Sequence, residues 1–311
     1  MKALEYALII RDKTRLERLV ERYNTKMQAK FYIENAGGNF DLFQKEHDNF
    51  YRCLESIEQE LSFVIKYKIV AREFLPSFIF SENHLIIVIG QDGLVANTAK
   101  YVGSQPIIAV NPDPEQYNGV LLPFRSKTFN PGLEQVLSGK GNFKSVTMAK
   151  ASTSDGQSLI AFNDLFIGAA THVSARYKVH YQNREEAQSS SGILISTGAG
   201  STGWLSSVYN MQHAINGLTG QQRQQQSGRH TIEWNAEYLL YVVREPYLSH
   251  ATGIDLVSGV VDNARPLTIE SLMPENGVIF SDGIEKDFLR FNAGTFVKIG
   301  LADQQAKLIV P

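Results

Sequence analysis

Two short stretches of this chain place small, oxygen-rich residues directly after apolar runs, and both could receive a phosphate or a sugar. In the first, Thr197, Gly198, Ala199, Gly200, Ser201, Thr202 and Gly203 follow Ile193, Leu194 and Ile195. The apolar run reads as a buried strand. The residues after it remove bulk and add hydroxyls that both donate and accept hydrogen bonds. Glycine lets a backbone approach a ligand closely. A helix beginning near Ser201 would point its free N–H groups into the same space. A polar surface loop has the same composition, so this stretch alone leaves pocket and loop open.

In the second stretch, the apolar run Leu85, Ile86, Ile87, Val88 and Ile89 ends at Gly90-Gln91-Asp92-Gly93, with helix-compatible residues over 94–101. Ligands of open parallel sheets collect at the carboxyl ends of strands. An Asp in a Gly-flanked turn there can reach a ligand hydroxyl or a metal-bound phosphate. Asp-Gly is also an ordinary turn dipeptide, and a plain βα turn with a solvated Asp is the alternative.

The elements that must position these residues change character along the chain. Residues 5–10 read as a strand. Over 14–33, Leu16, Leu19, Val20 and Tyr23 have helical spacing, and Phe43, Phe50, Tyr51 and Leu54 give a second helix over 41–60. Strands are expected over 62–70, 85–89 and 107–110, the last closed by Asn111-Pro112-Asp113-Pro114-Glu115. Strands alternating with helices predict an α/β domain with a largely parallel sheet. After about Phe124 helical patterns become rare. Alternating strands are expected over 159–167, 175–181, 238–244, 267–272 and 295–299, with turns at Asp155-Gly156, Asn276-Gly277 and Asp282-Gly283. This half reads as a β-sandwich-like domain. The polar low-complexity stretch 221–228 reads as a surface loop.

Composition narrows the function classes. The 311 residues suffice for two domains. A net charge of −2, without a basic stripe, gives no footprint for nucleic acid or an anionic membrane. The aromatics over 74–80 therefore read as packing rather than as a base-stacking platform. The lone cysteine, Cys53, excludes a disulfide within the chain and points to a reducing, cytoplasmic compartment. The first residues lack a secretory pattern, and no apolar stretch approaches a membrane span. The seven histidines form no paired metal-binding spacing.

Taken in order, Gly90-Gln91-Asp92-Gly93, Asn163-Asp164 and the run from Thr197 to Trp204 resemble the NAD kinase family, within the superfamily of diacylglycerol and sphingosine kinases. The family pattern is a GGDG turn, an Asn–acid pair and a TxTGSTAY-like run. The segments IIAVNPDPEQYNGVLLPF, AFNDLFIGAATHVSARY, SSGILISTGAGSTGWLSS and VVREPY are similar to the mitochondrial-type branch and its bacterial relatives. SDGI, followed by Phe291 and Gly294, resembles the family's closing strand pair. The similarity runs from about residue 85 to 310; before it, only the strand–helix layout agrees.

The resemblance implies an N-terminal Rossmann-like α/β domain over 1–125, a C-terminal β-rich NAD-binding domain over 126–291, and a closing segment 292–311 that returns to the first domain. It implies transfer of the ATP γ-phosphoryl to the 2′-hydroxyl of the adenosine ribose of NAD, giving NADP. Asp92 would be the catalytic carboxylate, with Gly90, Gln91 and Gly93 at the ATP phosphates. Asn163, Asp164, Thr197, Gly200, Ser201, Thr202, Gly203, Trp204 and Ser207 would line the NAD site. Trp204 could stack on a base or fill the pocket wall. The cofactors implied are ATP and a Mg²⁺ carried by the nucleotide through its phosphates and few protein carboxylates, Asp92 being the one that could help to hold it; the expected assembly is a homodimer.

Two positions depart from the pattern: Gln91 stands at the second Gly of GGDG, and Leu94 replaces a Thr. They keep two other readings open, a catalytically weakened NAD-binding protein and a kinase of another hydroxyl substrate such as a lipid, sugar or nucleoside. A nicotinamide-dependent oxidoreductase ranks last, because Ile10-Arg11-Asp12-Lys13 follows the first strand where GxGxxG would stand.

Overall fold

The computed structural model describes residues 4–218 and 231–311. The stretch 221–228, read as a surface loop, lies outside them. The chain divides into two compact units. The first takes the described residues up to Lys144 together with Lys307–Pro311, and the second is Ser145–Ala306. The first unit thus runs past the boundary expected at residue 125, and the returning segment begins at 307 rather than 292.

In the first unit the elements are β1 (Tyr6–Arg11), α1 (Arg15–Tyr23), α2 (Lys26–Asn35), α3 (Phe40–Ser62), β2 (Lys66–Ala71), β3 (His84–Ile89), α4 (Asp92–Ala99), β4 (Pro106–Val110) and α5 (Phe129–Leu137). The strands pair in parallel in the order β2-β1-β3-β4, and Lys307 and Leu308 add a short parallel edge beside β4. Ala7, Ile9, Leu85, Ile87, Ile108 and Val110 pack against Phe50, Leu54 and Ile57 of α3 and Phe129 and Leu133 of α5. The alternate residues Leu8, Ile10, Ile86 and Val88 are buried too. Burial on both faces explains why these strands read as continuous apolar runs.

The helix expected over 14–33 is two helices. Thr14 caps α1 in a capping box: its hydroxyl accepts from Glu17 N at 3.2 Å, and the Glu17 carboxylate accepts from Thr14 N at 2.7 Å. Asn24 then turns to φ +65°, and the Thr25 hydroxyl caps α2. Two good caps within one periodic stretch override the periodicity.

The second unit contains β5 (Phe143–Thr153), which starts just before the division, then β6 (Ser158–Ala161), β7 (Asp164–Ala169), β8 (Ala175–Tyr181), β9 (Arg184–Ser190), β10 (Ile193–Ser196), α6 (Trp204–Leu218), β11 (Leu239–Val243), β12 (Ser258–Val261), β13 (Leu267–Ser271), β14 (Gly277–Ser281), β15 (Ile284–Arg290) and β16 (Phe296–Ile309). One sheet runs β16-β13-β8-β9, with β5 beside β16 and β6 beside β5. The other is antiparallel in the order β12-β11-β10-β7-β14-β15.

Tyr177, Val179, Leu267, Ile269, Val297 and Ile299 of the first sheet share one core with Leu165, Ile167, Ile193, Ile195 and Tyr241 of the second. This face-to-face core is that of a sandwich. The strand expected over 159–167 is interrupted at Phe162-Asn163, between β6 and β7. Two helices, α5 and α6, stand where few were expected.

Candidate functional site

The Gly90–Gly93 turn joins the carboxyl end of β3 to α4, whose N-cap is Gln91. In a sheet ordered β2-β1-β3-β4, the connections leave β1 and β3 in opposite directions, and a crevice opens outside their carboxyl ends. A cavity of about 160 Å³ occupies that place. The turn supplies Gly90, Gln91 and Gly93 to its wall, the loop after β1 supplies Asp12, Lys13 and Thr14, and the first turn of α1 supplies Arg15 and Arg18. Arg72, Glu46, Asp113 and Tyr117 complete the polar lining.

The charges are held in pairs. The Asp12 carboxylate accepts from Arg18 at 2.7 Å and from Arg72 at 2.9 Å. Burial would raise that carboxyl, but the two guanidinium groups hold it below its usual value. Arg15 is paired with Glu46, and Lys13 with Glu21 at 2.6 Å. Glu17 accepts from Thr14 N, from Arg11 and from the Tyr51 hydroxyl, and so ties the end of β1 to α1 and α3. Lys13, Arg15, Arg18 and Arg72 outnumber the lining carboxylates and keep part of their side chains in solvent. Arg and Lys donors beside a glycine turn and a helix N-terminus are suited to phosphate oxygens.

Asp92 begins α4, and its carboxylate is already engaged. Oδ1 accepts from Leu121 N at 2.8 Å and Oδ2 from Val120 N at 3.3 Å. These bonds fix the carboxylate's direction and leave its remaining lone pairs for a ligand. Gln91 has φ −114° and ψ 165°, an extended conformation open to any residue. Its side chain lies near the Tyr117 hydroxyl.

The second unit brings together Asn163, Asp164, Thr197 and Gly200. Asn163 is clamped by its backbone. Its N–H donates to Asp282 Oδ1 at 2.6 Å, and its carbonyl accepts from Thr197 N at 2.9 Å and Thr197 Oγ1 at 3.0 Å. Gly200 backs onto the same carbonyl: a Cβ there would lie 2.1 Å from Asn163 O. Gly198 is equally constrained, 2.0 Å from Glu233 O. These glycines are required by backbone crossing. The Thr197 hydroxyl is buried and spent on the Phe162 and Asn163 carbonyls. The Ser201 hydroxyl is buried too, donating to Gly198 O and accepting from Ile232 N. Both shape the run from inside, whereas Thr202, Gly203 and Ser207 are exposed. The run forms a short 3₁₀ turn, Ala199–Thr202, and α6 starts at Trp204 rather than near Ser201.

The Asn163 and Asp164 side chains make no hydrogen bond to any described residue, although Asp164 is only 9% exposed. Burial first, and then the charge of Asp282, push the Asp164 carboxyl up from 3.8 to about 7. A near-buried carboxyl without a protein partner is costly, and such groups concentrate at functional sites. Trp204 stacks on Phe166 at 5.7 Å with an interplanar angle of 10°, and the Arg244 guanidinium lies 5.2 Å from its ring centre.

The cations after β1 and at the start of α1, and Asp282, are the residues that sequence reasoning missed. The former fell in a segment read as the end of a strand without GxGxxG and the start of a helix, and Asp282 passed as half of a turn dipeptide. No sequence signal links Asp282 to a segment 120 residues earlier.

No family model matches the sequence, and no curated protein matches it. Solved structures do. The crystal structure of yeast NADH kinase complexed with NADH matches at a TM-score of 0.62 with 12% identity, covering 100% of this chain and 84% of that one. An NAD kinase from Archaeoglobus fulgidus in complex with ATP matches at 0.56 with 14% identity, covering 98% and 93%. This chain has the fold of an NAD kinase. The two-domain layout expected from the motifs, an α/β unit followed by a β-rich one, is therefore shared along nearly the whole chain. No helix of the described residues is long and apolar enough to cross a membrane.

Proposed function

We propose that this protein phosphorylates the adenosine ribose 2′-hydroxyl of NAD or NADH, with a nucleoside triphosphate as donor. The observation that carries the proposal is the Asn163–Asp164 pair, whose backbone is locked while its side chains are left free. An amide offers a donor and an acceptor to a base edge, and a carboxyl beside it can bind ribose hydroxyls or an amide. The fold supports the reading, since solved structures that share it are named for NAD and NADH kinases and one holds ATP.

In this reading the first unit holds the donor. Lys13, Arg15, Arg18 and Arg72, with the Gly90–Gly93 turn, would receive the phosphate oxygens. Asp113, a lining residue of the same cavity, carries a carboxylate of the kind that suits a hard cation carried in on those phosphates. Mg²⁺, when bound, would neutralise charge on the transferring group. Asp92, directed by the Val120 and Leu121 N–H groups, would orient the attacking hydroxyl and accept its proton. Trp204, packed against Phe166 and Arg244, would fill the pocket wall rather than stack on a base.

The test is an endpoint assay with purified protein, NAD or NADH, ATP and Mg²⁺, reading NADP with an NADP-specific dehydrogenase, with Asp92→Asn alongside. NADP from the wild type and not from the variant supports the proposal. No NADP from a protein that binds NAD would instead favour a binding role or a different donor, and a product only with lipid, sugar or nucleoside acceptors would favour another kinase.

A further inference from the structure

The segment 162–164 is held by a carboxylate that has no place in the proposed chemistry. Asp282 lies in the turn between β14 and β15, with φ +54°, followed by Gly283 at φ +69°. This pair of left-handed residues makes the tight hairpin turn that Asp-Gly favours. The turn aims the Asp282 side chain back at the break between β6 and β7. There its oxygens accept three consecutive backbone N–H groups: Phe162 at 3.1 Å, Asn163 at 2.6 Å and Asp164 at 3.3 Å. Asp282 N donates in return to the Asp164 carbonyl at 3.0 Å. Three donors converging on one carboxylate form an anion nest within the protein. They are also N–H groups that the interrupted strand does not pair in a ladder, so the carboxylate meets a backbone requirement.

Resting on the proposed NAD reading, we infer that Asp282 is a positioning residue for the Asn163–Asp164 pair. It never needs to touch a substrate. It sets the backbone from which both side chains project, and its negative charge acts on the carboxyl of the last residue whose N–H it holds. Thr197 closes the clamp from the opposite side of the peptide, through the Asn163 carbonyl. Burial and Asp282 are the two influences on Asp164, and no cation among the described residues offsets them. The pair therefore presents an amide and a carboxyl that stays protonated to higher pH than burial alone would hold it, giving the site both a donor and an acceptor at that position.

The test compares wild type, Asp282→Asn and Asp282→Glu. NAD and NADH affinity is measured by calorimetry from pH 5.5 to 8.5, and the Asp164 carboxyl is followed by carbon NMR. Asp282→Asn keeps the shape but removes the charge and one acceptor. It is expected to weaken binding about tenfold and to move the Asp164 midpoint, and the pH dependence of binding with it, to lower pH. Asp282→Glu restores the charge with a longer arm; it is expected to weaken binding while keeping the midpoint nearer that of wild type. A residue with only a structural role would lower stability and leave the midpoint where it is. A folded Asp282→Asn protein with unchanged affinity and unchanged Asp164 midpoint overturns the inference. Wild-type protein that binds neither NAD nor NADH refutes the assigned ligand; a midpoint still moved by Asp282→Asn would then continue to support positioning of the pair.

Discussion

Asp164→Asn should make the free protein more stable while removing its grip on NAD. The reasoning follows from protonation. In the unfolded chain the Asp164 carboxyl titrates near 3.8, and in the fold it is pushed up to about 7 by burial and by Asp282. Between these values the folded protein holds a proton that the unfolded chain has released. Stability from this group therefore falls as pH rises from about 4 to about 7, by about 1.4 kcal/mol per pH unit, and is flat above. The full interval gives an upper bound of about 4 kcal/mol. Relaxation around an ionised buried carboxylate recovers part of it, so a gain of about 2 kcal/mol for Asp164→Asn at pH 8 is expected. Near pH 4 the variant and wild type should converge. Urea unfolding of both proteins at pH 4.5, 6 and 8 provides the assay, since other carboxylates cancel in the difference. A gain that is the same at pH 4.5 and pH 8, or absent at pH 8, refutes the account of Asp164 as a carboxyl strained by its surroundings. Calorimetry with NAD on the same samples shows whether the cost in stability is tied to binding.

Other outcomes follow from the same geometry. Asp92→Asn should lower turnover by about a hundredfold or more while leaving NAD affinity within about twofold, because a positioned base acts on the reacting hydroxyl rather than on ground-state binding; single-turnover NADP formation and calorimetry separate the two. Arg18→Ala combined with Arg72→Ala should raise the KM for ATP about tenfold or more with little change for NAD, as expected for lost charge-assisted bonds to phosphate. Gly200→Ala, which would press a Cβ to 2.1 Å from Asn163 O, should destabilise the second unit by about 3 kcal/mol, whereas Gly300→Ala, whose Cβ would meet nothing within 4 Å, should be tolerated; thermal unfolding distinguishes them. Burial first, with the charge of Glu60, pushes the Cys53 thiol up to about 12. A disulfide reagent should leave it unmodified at pH 8 in the native protein and react at once after unfolding.

The parallel sheet was legible because its strands are buried on both faces, and a continuous run such as Leu85 to Ile89 leaves little else to be. Chain order and small-residue composition marked the Gly90–Gly93 turn and the run from Thr197 to Trp204. What composition did not reveal is the difference between residues that shape a site and residues that face it. Thr197 and Ser201 read as ligand hydroxyls, yet both are buried and hydrogen-bonded to backbone. Gly198 and Gly200 read as room for a ligand, yet a Cβ at either would meet a carbonyl of the chain itself. The break in the strand expected over 159–167 was hidden because Ala161, Phe162 and Leu165 are apolar on both sides of it. Its cause, Asp282, lies in a different hairpin, and only tertiary contact exposes it.

Gln91 shows how a departure from a motif changes meaning once the backbone is known. Read as sequence, a side chain in place of glycine removes conformational freedom and intrudes on the donor phosphates. The backbone answers the first point. With φ −114° and ψ 165°, position 91 needs none of the freedom that glycine provides. It serves as the helix N-cap without a side-chain capping bond, so the amide is free for another partner. The amide lies near the Tyr117 hydroxyl, as does the Glu46 carboxylate, whose charge adds to burial in raising that phenol. Glu46 in turn pairs with Arg15, one of the cations that line the cavity. The substituted residue therefore shares one polar cluster with Tyr117, Glu46 and Arg15, the last a group proposed to receive phosphate. In place of a glycine that lets the backbone approach the donor, this chain sets a polar cluster beside the turn, and in the proposed reading the donor is held by arginine side chains rather than by glycine backbone.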